Sequence, residues 1–125
     1  MYDTTSVTAA TADALELFKP TGYKLLIAMP EEIQKIGNIF IPGDTGKREH
    51  TASIIGTVIA VGPDAYSDKD KFPNGAWCKI GDHVVIRSYA GTRLKIVGQD
   101  QEFRLVNDDV VEATVADPRK VERAV

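Results

Sequence analysis

The sequence predicts a small all-β domain, a barrel or a sandwich. Three observations carry that expectation. No stretch sustains a 3.6-residue apolar period, which argues against a long amphipathic helix. Short runs rich in β-branched residues recur along the chain. Between them stand Gly, Pro, Asn and Asp at a spacing of about eight to twelve residues, the punctuation of short strands.

Taken in order, residues 1–18 are Thr/Ala-rich and end in Ala14-Leu15-Glu16-Leu17-Phe18. They read as a terminal arm with one short helical or extended piece. Lys19-Pro20-Thr21-Gly22 is a turn signal, and Tyr23–Met29, closed by Pro30, is an apolar run of strand length. Ile54–Val61 is the clearest strand, with Gly56 marking a bulge or a close approach. Residues 63–78 carry turn residues with scattered Tyr66, Phe72 and Trp77, and read as a loop or a small hairpin. Gly81-Asp82 has turn chemistry and leads into the strand around Val84-Val85-Ile86. Arg93–Val97 alternates with a period of two, Gly98–Gln101 is a hairpin turn, and Glu102–Val106 is the returning strand. Asn107-Asp108-Asp109 can cap a single helical turn at Val110-Val111, before a last strand-like piece over Glu112–Val115. Residues 116–125 form a charged tail containing Pro118.

The composition narrows the function classes. The chain has 125 residues, one domain's length, and is 43% hydrophobic and 26% charged, as a soluble globular protein is. A net charge of −3, with no basic cluster longer than Lys47-Arg48, is a poor match for a nucleic-acid backbone. The one cysteine, Cys78, fits a reducing compartment. The N-terminal residues lack the basic start and apolar run of a signal peptide, and no stretch has the length of a membrane span. The expectation is an intracellular protein.

No catalytic constellation stands out. His50 and His83 are isolated in sequence, and a metal site wants clustered ligands. His83 reads as a histidine at a strand rim, and Cys78 beside Trp77 as a small buried hydrophobe. Glu31-Glu32 and Asp108-Asp109 are chain neighbours, whose side chains diverge rather than converge as an acid/base dyad. No nucleotide-binding glycine loop or nucleophile elbow is present. The residues therefore argue for a binding or structural protein with no catalytic and no metal-ligating residues.

One stretch remains, Gly37-Asn38-Ile39-Phe40-Ile41-Pro42-Gly43. Three apolar residues stand in polar, flexible ground and are too short for an ordinary helix. Alone, Ile39-Phe40-Ile41 reads as a short core strand or as an adhesive tip on a loop, exposed until a partner covers it.

Several stretches in order resemble the chaperonin-10 family, the GroES-like co-chaperonins. They are Lys19-Pro20 with Leu25-Leu26-Ile27, Gly56-Thr57-Val58-Ile59-Ala60-Val61-Gly62-Pro63, and Ile80-Gly81-Asp82-His83-Val84-Val85. Tyr89-Ala90-Gly91-Thr92-Arg93-Leu94-Lys95-Ile96 is the most specific piece, and Asn107-Asp108-Asp109-Val110-Val111 closes the series. The resemblance covers roughly residues 19–115. Tyr23-Lys24 stands where the family has an Asp-Arg pair, and Glu112–Val115 lacks the family's apolar ending, a strand that pairs with a neighbouring subunit. A divergent, viral member would fit these departures and the extra arm and tail.

The resemblance implies a small, partly open antiparallel β-barrel over 19–115, with an arm at 1–18 and a tail at 116–125. Residues 31–50 would be a mobile loop and 63–78 a roof hairpin or loop. It implies a homo-oligomeric ring, heptameric in the family, that caps a GroEL-like chaperonin and encloses client proteins. Ile39, Phe40 and Ile41 would dock in the chaperonin, with Gly37, Gly43 and Gly46 as loop hinges. The chain would need no cofactor, since ATP is bound by the partner chaperonin. It would touch neither nucleic acid nor membrane. Its place would be the cytoplasm, the host's if the source is viral. Two other readings compete. One is a structural oligomeric β-barrel with no chaperonin partner. The other is a fragment of a medium-chain alcohol dehydrogenase, which this chain lacks the length and zinc ligands to support.

Overall fold

The computed structural model describes residues 12–30 and 54–124. Six strands form one antiparallel sheet: β1 (Lys24–Ala28), β2 (Ile55–Val61), β3 (His83–Val85), β4 (Thr92–Lys95), β5 (Glu102–Asn107) and β6 (Ala113–Val115). Their spatial order is β4-β5-β1-β2-β3-β6, a sheet that does not close on itself. The small all-β, GroES-like fold expected from the sequence is the one observed.

Strand β1 explains why its segment is apolar throughout rather than alternating. It lies in the interior of the sheet, paired with β2 on one side and β5 on the other. Both of its faces are covered. Leu25, Ile27 and Met29 enter a first core with Val58, Cys78, Val84, Ile86, Val106 and Val111. Leu26 and Ala28 enter a second with Ala14, Ile59 and Phe103. A strand buried on both sides keeps no polar face.

Gly56 marks a close approach rather than a bulge. A Cβ there would fall 2.5 Å from Cγ2 of Ile27 and 2.9 Å from the carbonyl oxygen of Ala28. The bulge lies further along β2. Leu26 faces Ala60, but Ile27 faces Val58, so Ile59 is the extra residue. Its insertion turns both Ile59 and Ala60 toward the second core.

Three short helical pieces lie outside the strands among the described residues, the last a 3-10 turn at Pro118–Lys120. Residues 12–17 are helical and set Ala14 against the second core. After β5, Asp108–Val110 form a 3-10 turn that begins earlier than Val110-Val111, where the sequence suggested it. Asn107 occupies the N-cap position but makes no side-chain capping bond. Its side-chain oxygen instead accepts from Nζ of Lys24, its cross-strand partner. A charged donor next door outcompetes the capping bond.

Candidate functional site

The candidate docking residues Ile39, Phe40 and Ile41, and the hinge glycines Gly37, Gly43 and Gly46, lie outside the described residues. The structure does define the two roots from which the chain enters and leaves that stretch. One root is the end of β1. Met29 is almost fully buried, and its N–H donates to the carbonyl of Glu102 at 2.9 Å. The other root is the start of β2. Ile55 is fully buried, and the carbonyl of Ile54 accepts from the N–H of Ile86 at 2.8 Å. Both roots are therefore held by backbone bonds from outside the β1–β2 pair, by β5 on one side and the β3 segment on the other. Beside the first root, Gln101 is 2% exposed and donates to the carbonyl of Met29 at 2.7 Å.

The loop between β2 and β3 has no strand of its own. Of the two forms expected for residues 63–78, the loop is the one present. It folds around aromatic contacts that sequence inspection saw only as scattered rings. Phe72 meets Tyr66 and Trp77 edge-on, each with centroids 4.9 Å apart. The Tyr66 hydroxyl lies 3.3 Å from Sγ of Cys78, and the Tyr66 N–H donates to Asp108 at 2.9 Å. Tyr66 holds a left-handed backbone, φ 60°, which few residues other than glycine adopt. Beside this loop lies an open cleft of about 240 Å³ between Tyr23, Asp64, Phe72 and Asp108. Lys71 spans it to Asp109 at 2.5 Å.

The titratable groups in these places are structural. Burial pushes the Cys78 thiol up, away from the thiolate a nucleophile needs. Burial also pushes the Tyr66 hydroxyl up, and its bond to Cys78 adds to that. Thr57 Oγ1 and Nδ1 of His83 lie 2.9 Å apart across the β2–β3 ladder, where half-buried His83 is the first residue of β3. Among the described residues no group of three or more His, Cys, Asp or Glu is placed to hold a metal ion. No helix among them is long and apolar enough to cross a membrane.

A charge cluster supports the β4–β5 hairpin. Arg104 is 1% exposed, yet its Nε donates to Glu102 at 2.5 Å and its guanidinium reaches the carbonyl of Ala90 at 3.1 Å. Arg93, opposite Arg104 in the register, donates to the other Glu102 oxygen at 2.8 Å. Burial alone would raise the Glu102 carboxyl, but hydrogen bonds from Arg104 and Arg93 outweigh it and hold it below the usual value. Sequence reading missed this cluster, though its signal was there. Residues two apart on a strand share a face, which places Glu102 and Arg104 together.

Gly91 sits at the mouth of the same hairpin. Its φ is +72°, and a Cβ would fall 2.3 Å from the carbonyl oxygen of Leu105. Both facts exclude larger residues and give a physical reason for glycine in the Tyr89–Ile96 stretch.

The geometry defines a class: a small all-β protein whose two innermost strands, β1 and β2, are joined in sequence by residues 29–54. The comparisons give the family. The chain matches the model of the chaperonin 10 Kd subunit over residues 17–115. A co-chaperonin GroES of Caulobacter vibrioides is 38% identical over 84 residues, covering 66% of this chain and 82% of the relative. The co-chaperonin GroES of Caulobacter sp. strain K31 shows the same identity and coverage. This chain belongs to the chaperonin-10 family.

Proposed function

We propose that this chain is the subunit of a co-chaperonin ring, heptameric by family resemblance, that caps a GroEL-like chaperonin in its ATP-bound state and encloses client proteins. Membership of a non-catalytic co-chaperonin family is the observation that carries this reading. The cytoplasm, where such a partner works, is the matching location. In this reading Ile39, Phe40 and Ile41 dock in the chaperonin, Gly37, Gly43 and Gly46 let the loop adapt, and ATP belongs to the partner.

The energetics suit a reversible cap. Each large apolar side chain buried contributes roughly 1.5–3 kcal/mol. Ordering a free segment costs about 2–5 kcal/mol, so one loop alone binds weakly. Several loops on one ring bind strongly together through effective concentration, and release together when the partner changes state. The roots support this geometry, because both strands that carry the loop are fixed in the sheet.

Hydrogen exchange over residues 31–50, with and without chaperonin and ATP, tests the proposal. Protection that appears only with both is the expected result. Exchange unchanged by chaperonin and ATP would favour the structural-barrel reading instead. The double variant Ile39→Asp/Ile41→Asp is expected to lose nucleotide-dependent co-sedimentation with the chaperonin while its ring stays intact. Undiminished co-sedimentation would remove the tripeptide from the docking role.

A further inference from the structure

The family match begins at residue 17, but the structure carries a short helix, residues 12–17, most of which lies before that point. We propose that residues 12–18 are a detachable strap over an apolar groove of the sheet, a cover that opens without unfolding the strands beneath it. The groove consists of Leu26 and Ala28 on β1, Ile59 on β2 and Phe103 on β5, flanked by Leu94 and Leu105. Its occupant is this chain's own segment.

The residues that enter the groove are spaced four apart, on one face of the helix. Ala14 is fully buried, and the Phe18 ring packs on Phe103 at 5.9 Å between centroids. The Phe18 N–H donates to the carbonyl of Ala14 at 2.7 Å and closes the last turn. One exposed side-chain bond, from Gln99 to Asp13 at 2.8 Å, holds the outer edge. The larger apolar residues of the helix point away: Leu15 is 41% exposed and Leu17 62%.

The strap and the floor differ in what keeps them in place. A helix this short does not persist alone in water, so it exists here because it is docked. Its most deeply buried side chain is a single methyl group. The floor strands are tied to one another by the β1–β2, β1–β5 and β4–β5 ladders, none of which involves the helix. The cover can therefore leave while the ladders stay, which is the behaviour of a local, low-stability unit. Beyond the strap the chain is anchored again at Gly22, left-handed at φ 56°, whose carbonyl accepts from the Asp64 N–H at 2.8 Å, so the strap can leave without freeing β1.

Hydrogen exchange on the full chain tests the strap directly. The Phe18 amide is expected to exchange at least about 100-fold faster than the amides of Phe103 and Leu105, as local opening requires. Equal rates would overturn the proposal, because the helix would then open only with the whole sheet. In Ala14→Arg, protection at Phe18 should vanish and an apolar dye should bind, with protection at Phe103 and Leu105 retained. Loss of β5 protection in that variant, or failure to fold, would show that the helix is not separable. Leu17→Glu, on the outward face, should change neither signal; release of the strap by Leu17→Glu would overturn the facing assigned here.

Discussion

The backbone N–H of Tyr66 donates to the carboxylate of Asp108 at 2.9 Å, tying the loop between β2 and β3 to the 3-10 turn that follows β5. The two residues are far apart in sequence, and Asp108 is only 4% exposed. Replacing it with Ala leaves a donor in a strained backbone without its acceptor. The expected cost is about 1–3 kcal/mol. Asp108→Asn keeps an acceptor oxygen and should lose less. Urea unfolding followed by Trp77 fluorescence measures both; an Asp108→Ala midpoint equal to wild type would show that the contact contributes nothing.

Gly91 offers a second test, with two separate penalties. Gly91→Ala must place a methyl group 2.3 Å from a backbone oxygen of β5 while holding φ at +72°. The conformational penalty alone is about 1 kcal/mol, and the clash with backbone adds to it. The thermal midpoint should fall by several degrees. An unchanged midpoint would mean that the hairpin shifts freely, against its place in the β4–β5 ladder.

Acid should act through Glu102. Its carboxyl is held below its ordinary value of 4.5 in the folded chain. The unfolded chain therefore binds this proton first as pH falls. The stabilisation is complete above about pH 4.5 and is lost as pH drops through the lower folded value. Asp109, lowered by its bond from Lys71, works in the same direction at a more exposed site. Glu102→Ala leaves the buried Arg104 without its counter-charge, a loss of roughly 3 kcal/mol or more. Its stability should also fall less between pH 7 and pH 3 than that of wild type. Parallel acid profiles for the two proteins would contradict the assignment.

Cys78 should be slow to react. It is 6% exposed, and burial raises its thiol. Modification by a thiol reagent at pH 7.5 is expected to be at least about 100-fold slower in the folded chain than in urea, since reactivity needs an exposed thiolate. Rapid modification without loss of structure would place the thiol at the surface.

The strands were legible where side-chain chemistry and position agree. The unbroken apolar run of β1 and the β-branched run of β2 announced buried strands, and both are there. The turn residues placed the β4–β5 hairpin correctly. What escaped depends on contacts between distant residues. Nothing in the letters of Ile59 marks it as the bulge, because a bulge is a property of the pairing. Asn107 has good capping chemistry, but Lys24 on the adjoining strand claims its oxygen. The rings of Tyr66, Phe72 and Trp77 meet only because the loop folds back on itself. The tripeptide Ile39-Phe40-Ile41 stands outside the described residues, so its reading rests on sequence and family alone.

The way residues 30 and 54 are rooted has a mechanical consequence. β1 is flanked by β5 and β2 by β3, so neither root belongs to an outer strand. Tension applied through the connection, along the strand axes, would load the β1–β5 and β2–β3 ladders in shear, with their hydrogen bonds sharing the force. An attachment at β4 or β6 would instead load a single ladder, since each of those strands has one neighbour. Force entering there would thus be spread over the inner ladders of the sheet rather than carried by one edge.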